Sequence, residues 1–257
     1  MINSDESRIK MTERVAVVTG GVGELGRAIA ERLLADGCRV AALDINAADE
    51  SSAQWVKSLN VSAERLMLLP GNVGDFDSCA ACTKSIEERL GPIDILVNCA
   101  GITRDATLRN MSKEQWDAVL GVNLDSVFHT TRHVIDGMIA RGFGRVVNIA
   151  SVNGVKGQFG QTNYSSAKAG MHGFTMALAQ EVARKGITVN SVSPGYMNTA
   201  MVRQVPAEVL DSIVGSIPVG RLGEPREIAA MVAFLASDEA SFVTGANFNV
   251  NGGLHML

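Results

Sequence analysis

Three side chains in the middle of the chain have the types and spacing needed to move a proton. Ser151 follows a short apolar run, and Tyr164 and Lys168 are four residues apart, which places them on one face of a helix. A ketone that accepts a hydride needs a proton donor at the forming alkoxide. The pKa of tyrosine is normally about 10, and a nearby ammonium lowers it by favouring the phenolate. We therefore expect Tyr164 to donate the proton with help from Lys168, while Ser151 holds the carbonyl oxygen.

The same residues have a simpler interpretation, which is an exposed pair on a helix and a serine at the end of a strand. For the Tyr-x-x-x-Lys spacing alone, the simpler interpretation is favoured. A dinucleotide-binding turn earlier in the chain shifts the balance towards the chemical one. Asn123, inside a long helical pattern, is a candidate for holding a water linked to Lys168, although an asparagine in a helix is usually only solvated.

A glycine-rich turn near the start of the chain predicts a dinucleotide site. Gly21, Gly23 and Gly26 match G-x-G-x-x-G between a strand-like run and a helical pattern. Glycines allow backbone N–H groups to approach a pyrophosphate, and the start of a helix favours an anion. Asp44 ends the next strand, 18 residues after Gly26, where an acid accepts hydrogen bonds from the adenosine ribose. Asp44 could also cap a helix, and both roles can hold together.

Asp44 also bears on the choice of cofactor. Its carboxylate would repel the 2′-phosphate of NADPH, and no arginine or lysine follows before Lys57. The sequence therefore predicts a preference for NADH, with NADPH as the alternative.

The elements that must position these residues alternate between strands and helices. We predict strands at Val15–Thr19, Arg39–Leu43, Leu66–Leu69, Ile93–Asn98, Arg145–Ala150, Thr188–Ser193 and Asn247–Val250. Helical patterns cover Gly26–Asp36, Asp75–Leu90, Ser112–Met138, Tyr164–Lys185 and Pro225–Leu235. Most of the strands are apolar without alternation, which is typical of parallel strands buried on both faces. The sequence therefore predicts one α/β domain over residues 14–257, with a doubly wound parallel sheet between helices. Residues 1–13 are predicted to be a flexible N-terminal extension that contributes little to the core.

Composition and charge exclude several classes of function. Of the 257 residues, 46% are apolar and 19% are charged, as expected of a folded protein. The net charge is −4 without a long run of like charge, which argues against a general surface for nucleic acid or anionic membrane. No apolar run reaches the roughly 18 residues that cross a bilayer. The polar start lacks the apolar stretch of a signal peptide, so we expect a cytoplasmic protein.

Cysteines and histidines do not form a pattern that predicts a metal site. Cys79 and Cys82 make a C-x-x-C without a second pair or a nearby histidine, and they lie within a helical stretch. His129 and His133 would share a helix face, but no third ligand is evident. We expect no metal, and we expect free thiols in a reducing compartment at Cys38, Cys79, Cys82 and Cys99.

At these residues the sequence resembles the short-chain dehydrogenase/reductase (SDR) superfamily, from about Arg14 to the end. The markers are Thr-Gly at 19–20, Asn-Cys-Ala-Gly at 98–101, Pro-Gly at 194–195 and the residues Asn123, Ser151, Tyr164 and Lys168. The resemblance implies a Rossmann-type fold with a seven-stranded sheet, and it makes those four residues the catalytic set. It also implies cofactor contacts from Tyr164, Lys168, Gly20, Gly23, Glu24, Leu25, Gly26, Asp44, Asn72, Val73, Cys99, Ala100, Gly101, Ile102, Pro194, Gly195, Met197 and Thr199.

A closer resemblance is to the acetoacetyl-CoA reductases of polyhydroxybutyrate synthesis. The segments that carry it are 101–105, 151–154, 157–164, 194–196 and 251–256. The implied reaction is the reduction of acetoacetyl-CoA to (R)-3-hydroxybutyryl-CoA by a homotetramer. The implied substrate contacts are Ser151, Tyr164, Asp105, Gln158, Phe159, Gly160, Gln161, Gly195 and Tyr196.

Two residues depart from the SDR pattern. Cys99 stands where the family usually has the second Asn of Asn-Asn-Ala-Gly, and its side chain is a weaker hydrogen-bond partner. Glu24 stands at the second motif glycine, which puts a carboxylate beside the expected pyrophosphate. We expect Glu24 to weaken cofactor binding unless it points to solvent or pairs with Arg27.

Two other functions fit the sequence. A 3-oxoacyl-acyl-carrier-protein reductase performs the same chemistry, and Arg104, Arg109 and Lys113 could form a basic patch for the carrier protein or could meet the phosphates of CoA. A non-catalytic dinucleotide-binding sensor is the more remote alternative, because the Ser, Tyr and Lys of the catalytic set are intact.

Overall fold

Seven parallel strands form one sheet in the computed structural model, which describes residues 9, 11, 13–203 and 206–256. The order across the sheet is β3-β2-β1-β4-β5-β6-β7, and each neighbouring pair is parallel. The strands are β1 (Val15–Thr19), β2 (Arg39–Asp44), β3 (Leu66–Pro70), β4 (Ile93–Asn98), β5 (Gly144–Ile149), β6 (Ile187–Pro194) and β7 (Asn247–Val250). This arrangement confirms the predicted doubly wound parallel sheet.

Helices cover both faces of the sheet. The helices of the described residues are α1 (Glu24–Ala35), α2 (Glu50–Leu59), α3 (Phe76–Leu90), α4 (Lys113–Leu120), α5 (Ser126–Arg141), α6 (Asn153–Lys156), α7 (Thr162–Val182), α8 (Ala200–Arg203), α9 (Ala207–Ser216) and α10 (Pro225–Ala236). Among them, none combines the length and apolar character required to cross a membrane.

The two faces of the sheet bury separate apolar layers. On one face, Ile29 and Leu33 of α1 pack with Ile228 and Val232 of α10 against the sheet. On the other face, side chains of α3, α5 and α7 pack against the opposite sides of the same strands. Because successive side chains of a strand point to opposite faces, an apolar strand without alternation serves both layers.

The strand order creates a crevice for ligands at the carboxyl ends of the strands. The chain runs from β1 to β2 and β3 on one side and then crosses to β4 on the other side of β1. The loops that follow β1 and β4 therefore leave in opposite directions and open a crevice at the carboxyl ends of the strands. The segments that begin at Gly20, Cys99, Ala150 and Gly195 all start at this edge.

The helices differ from the predictions in two ways. The predicted helix Ser112–Met138 is broken by a π-helical turn at Gly121–Asp125, and its capping box at Ser112 and Gln115 is confirmed. Helices α2, α6, α8 and α9 were not predicted. The segment of α2 is polar, and this helix buries only Ser52 and Trp55.

The predicted N-terminal extension lies mostly outside the described residues, since 1–8, 10 and 12 are not among them. Met11 is 1% exposed and belongs to the apolar layer that contains α1. Its N–H donates to the carbonyl of Asp36 at 2.7 Å. The expectation that this segment contributes little to the core is therefore wrong for Met11.

Candidate active site

The glycine-rich turn connects β1 to α1 through close backbone contacts. Gly20 has φ +64°, and a Cβ there would lie 2.8 Å from the Cα of Ala100. A Cβ at Gly26 would collide with the carbonyl of Gly20. Gly23 is exposed and occupies the N-cap position of α1. Because glycine has no side chain, the first N–H groups of the helix, including those of Glu24 and Leu25, have no capping side chain. This turn can present backbone donors to an anion.

Asp44 ends β2 beside this turn. Its carboxylate accepts a hydrogen bond from the N–H of Val22 at 3.3 Å and another from the N–H of Asn46 at 2.9 Å. Asp49 occupies the N-cap position of the helix that follows, so Asp44 is not the helix N-cap that was considered as an alternative.

The loops after β3 and β4 border the same crevice. The hydroxyl of Thr19 accepts hydrogen bonds from the N–H of Cys99 at 3.0 Å and of Ala100 at 3.1 Å, which joins β1 to the end of β4. Asn72 follows β3 and accepts a hydrogen bond from the N–H of Gly74, while Val73 is buried. Burial raises the pKa of the Cys99 thiol to about 12, against an opposing effect of the Lys168 ammonium, so the thiol stays protonated.

Asn123 holds the loop after β4 through its buried amide. It lies in the π-helical turn, is 0% exposed, and accepts a hydrogen bond from the N–H of Ile102 at 2.8 Å. Its Nδ2 donates to the carbonyl of Ile102 at 2.9 Å. A Cβ at Gly101 would lie 3.3 Å from Asn123 Oδ1 and 3.5 Å from Lys168 Nζ, so the loop passes between these two side chains. A water between Asn123 and Lys168 stays a prediction.

The structure brings Ser151, Tyr164 and Lys168 together at the end of β5. Tyr164 and Lys168 lie in the first turns of α7, and Lys168 Nζ is 5.7 Å from the centre of the Tyr164 ring. Lys168 is 3% exposed and donates to the carbonyl of Ile149 at 2.8 Å. The Ser151 hydroxyl accepts a hydrogen bond from the N–H of Asn153 at 3.1 Å and interacts with the Tyr164 side chain.

Burial controls the ionisation of these groups. It raises the pKa of Tyr164 above its usual value, the hydrogen bond with Ser151 lowers it in part, and Asp105 raises it further. The expectation of a lowered tyrosine pKa is therefore wrong, and Tyr164 keeps its proton at neutral pH. Burial lowers the pKa of Lys168 to about 8, so its ammonium is present below that pH and is lost above it.

Two of the predicted substrate loops are bound to each other. Gln161 Nε2 donates to Asp105 at 2.8 Å, and Gln161 Oε1 accepts a hydrogen bond from Asn153 at 3.0 Å. The N–H of Ala106 donates to the carbonyl of Gly160 at 2.9 Å, next to a backbone bridge between Ala106 and Gln161. These contacts fix one wall beside Ser151.

The exposed part of this wall is the segment before Gly160. Phe159 is 86% exposed, and the side chain of Gln158 accepts a hydrogen bond from Lys156 at 2.8 Å.

The segment after β6 forms the other wall. Pro194 ends the strand, and the N–H of Gly195 donates to the carbonyl of Val250 at 3.1 Å. Tyr196 and Met197 line a cavity of about 130 Å³ together with Gly195. Thr199 follows, its N–H bound to the carbonyl of Met197 at 2.8 Å.

A pair between Glu24 and Arg27 was one expectation from the sequence, and the structure does not show this pair. The Glu24 carboxylate accepts hydrogen bonds from Arg203 Nη2 at 2.6 Å and from the N–H of Ala200 at 2.8 Å. The guanidinium of Arg27 instead lies 5.2 Å from the centre of the Trp55 ring.

Three residues of the site were not found from the sequence. Asn163 is fully buried and donates to the carbonyls of Arg104 and Gln115, while Asn153 links Gln161 to the Ser151 loop. The sequence could have indicated Asn153 and Asn163, because each lies inside a motif segment that also contains a predicted catalytic residue. No local signal points to Arg203. Within the described ranges, no three His, Cys, Asp or Glu side chains are grouped in a way that could hold a metal ion.

Comparison with known proteins places this geometry in a family. A family model described as enoyl-(acyl carrier protein) reductase matches residues 21–255. The chain is 54% identical to an acetoacetyl-CoA reductase of Cupriavidus necator over 96% of this chain and 100% of that protein. It is 53% identical to an acetoacetyl-CoA reductase of Allochromatium vinosum, over 95% of this chain and 99% of the relative. A 3-oxoacyl-acyl-carrier-protein reductase of Vibrio cholerae is 43% identical over 95% of this chain and 98% of its own length. The chain therefore belongs to the short-chain dehydrogenase/reductase family.

Proposed function

We propose that this protein reduces acetoacetyl-CoA to (R)-3-hydroxybutyryl-CoA, the reaction that supplies polyhydroxybutyrate synthesis. The observation that carries the chemistry is the placement of Tyr164 beside buried Lys168 and next to Ser151. We infer the substrate from the two acetoacetyl-CoA reductases, because their sequence identity to this chain is higher than that of the carrier-protein reductase.

The residues at the edge of the sheet fit a nicotinamide dinucleotide, the cofactor class of this family. The uncapped start of α1 offers N–H groups to a pyrophosphate, and Asp44 offers a carboxylate to ribose hydroxyls. When bound, the cofactor supplies the hydride. Its further contacts would come from Asn72 and Val73 after β3, from the 99–102 loop, and from the segment between Pro194 and Thr199.

Four side chains perform the rest of the reaction. Ser151 holds the substrate carbonyl oxygen, and protonated Tyr164 donates its proton to that oxygen. The Lys168 ammonium stabilises the phenolate that remains, because an opposite charge nearby favours the ionised form. Asn123 acts through the main chain of Ile102, which keeps the 101–102 loop in place beside Lys168.

We propose that NADH is preferred over NADPH because of Asp44. The values of kcat/KM with the two reduced cofactors test this directly, and we expect the NADH value to be the higher. Asp44→Ala should narrow the preference, while Asp49→Ala, which removes the neighbouring acid at the start of α2, should leave it unchanged. A clear preference of the wild type for NADPH would contradict the proposal.

The rival substrate is a 3-oxoacyl group on acyl carrier protein. All three cations that were considered for carrier docking, Arg104, Arg109 and Lys113, are exposed, and Lys113 also pairs with Asp117 at 2.6 Å. We expect kcat/KM to be higher with acetoacetyl-CoA than with the acetoacetyl carrier protein. The reverse order would make the carrier-protein reductase the better assignment.

We also propose a homotetramer in the cytoplasm. Phe128 on α5 and Met176 on α7 are about half exposed, at 50% and 51%, which suits helix faces covered by other copies of the chain. The free cysteines of the structure agree with a reducing compartment. Light scattering should give a mass near four chains for the wild type and a smaller mass for Phe128→Glu. A monomeric wild type would contradict the assembly.

A further inference from the structure

A charge pair joins the cofactor turn to the segment after β6. Glu24 is the first residue of α1, and Arg203 is the last residue of α8. Both carboxylate oxygens of Glu24 are used, one by Arg203 Nη2 at 2.6 Å and the other by the N–H of Ala200 at 2.8 Å. The contact therefore engages a side chain and a main-chain group of the same short helix.

Arg203 is anchored on its own side as well. Its Nη1 donates to the carbonyl and to the side-chain oxygen of Asn198, at 3.0 and 3.2 Å. The amide of Asn198 in turn donates to Glu224, the N-cap of α10, at 3.1 Å. The guanidinium is thus held between two elements, so less side-chain entropy is lost in this pair than in an isolated surface pair.

The electrostatic consequence concerns the pyrophosphate. Glu24 stands in the turn whose N–H groups are proposed to bind that dianion, and an unpaired carboxylate there would repel it. With Arg203 bound to Glu24, the net charge that the two side chains add to the turn is zero. Substitution of the family glycine by Glu24 is then compatible with cofactor binding.

We propose that Arg203 is a charge-compensating residue for the cofactor, which acts by neutralising Glu24 beside the cofactor turn. The inference rests on the proposed dinucleotide site and goes beyond it. It assigns a role in cofactor affinity to a residue outside the family motifs, and it makes that role depend on one particular carboxylate.

The pair predicts an asymmetric double-mutant cycle. Arg203→Ala leaves Glu24 uncompensated, so the Kd for NADH should rise by about tenfold at low salt. Glu24→Gly removes the carboxylate itself and should not cause such a rise. In the double variant the affinity should recover most of what Arg203→Ala loses, because the repelling group is gone.

The measurement is the Kd for NADH by titration calorimetry on the purified full-length protein, at about 20 and 500 mM salt, since salt screens exposed charges. The loss in Arg203→Ala should shrink at high salt, and Arg203→Lys should retain most of the affinity. Arg132→Ala is a matched control, because Arg132 is also 51% exposed and pairs with Asp136 at 2.7 Å on α5. Thermal unfolding of each variant without cofactor verifies that it is folded.

Two results would overturn the proposal. One is an Arg203→Ala protein that binds NADH as tightly as the wild type. The other is a double variant that binds no better than Arg203→Ala, which would indicate a purely structural arginine. If the wild type itself does not bind NADH, it is the proposed function that fails, so the two failures are distinguishable.

Discussion

Replacing Asn123 by alanine should loosen the loop that the cofactor needs. The variant loses the two hydrogen bonds between the buried amide and the main chain of Ile102, at 2.8 and 2.9 Å. Each main-chain group left without a partner costs about 1–3 kcal/mol, so the loss of two partners should lower the free energy of unfolding by about 2–6 kcal/mol. Because Gly101 lies between Asn123 and Lys168, the Kd for NADH should rise as well.

The assay is urea unfolding at a fixed protein concentration, since assembly also contributes to stability. Ser126→Ala is the control, because it removes one hydrogen bond, to the carbonyl of Val122, from a nearly buried side chain just after the same turn. It should cost about 1 kcal/mol and leave NADH affinity unchanged. If Asn123→Ala were as stable as Ser126→Ala and bound NADH like the wild type, our interpretation of this amide would be refuted.

Two further predictions concern Lys168 and the glycines. NADH affinity of the free protein should weaken as the pH rises through about 8, because the Lys168 ammonium is lost there, and Lys168→Arg should keep its affinity to higher pH. A wild-type Kd that is flat from pH 7 to 9 would refute this. Gly26→Ala should unfold at a lower temperature and bind NADH poorly, since its Cβ meets the carbonyl of Gly20, whereas Gly215→Ala in α9 meets nothing within 4 Å and should be at least as stable as the wild type. Equal melting temperatures for these two variants would contradict the packing argument.

Local patterns predicted most of the fold. Short apolar runs marked most of the seven strands, because strands buried on both faces need apolar residues at successive positions. Helix α2 escaped prediction, since only Ser52 and Trp55 are buried in it and its pattern carries little apolar signal. The break at Gly121–Asp125 was also missed, because an extra residue in a helical turn leaves the surrounding pattern almost unchanged.

In the candidate site, contacts between residues close in sequence could be predicted, whereas contacts between distant residues could not. Tyr164 and Lys168 share a helix, so their spacing alone predicts their proximity. Glu24 and Arg203 are 179 positions apart, and their contact depends on how the segment after β6 returns over the cofactor turn. The net direction of the Tyr164 pKa could not be predicted either, because it depends on burial that the packing of the whole site creates.

The central claim is that Tyr164 gives a proton to the ketone of acetoacetyl-CoA. Steady-state reduction of acetoacetyl-CoA by wild type and Tyr164→Phe, with NADH at saturation and with analysis of the product's configuration, tests it most directly. We expect (R)-3-hydroxybutyryl-CoA from the wild type and a fall in kcat of about 10²–10⁴-fold in Tyr164→Phe, with a Kd for NADH close to that of the wild type. A wild type that does not turn over acetoacetyl-CoA, or a Tyr164→Phe variant that is as fast as the wild type, would contradict the account.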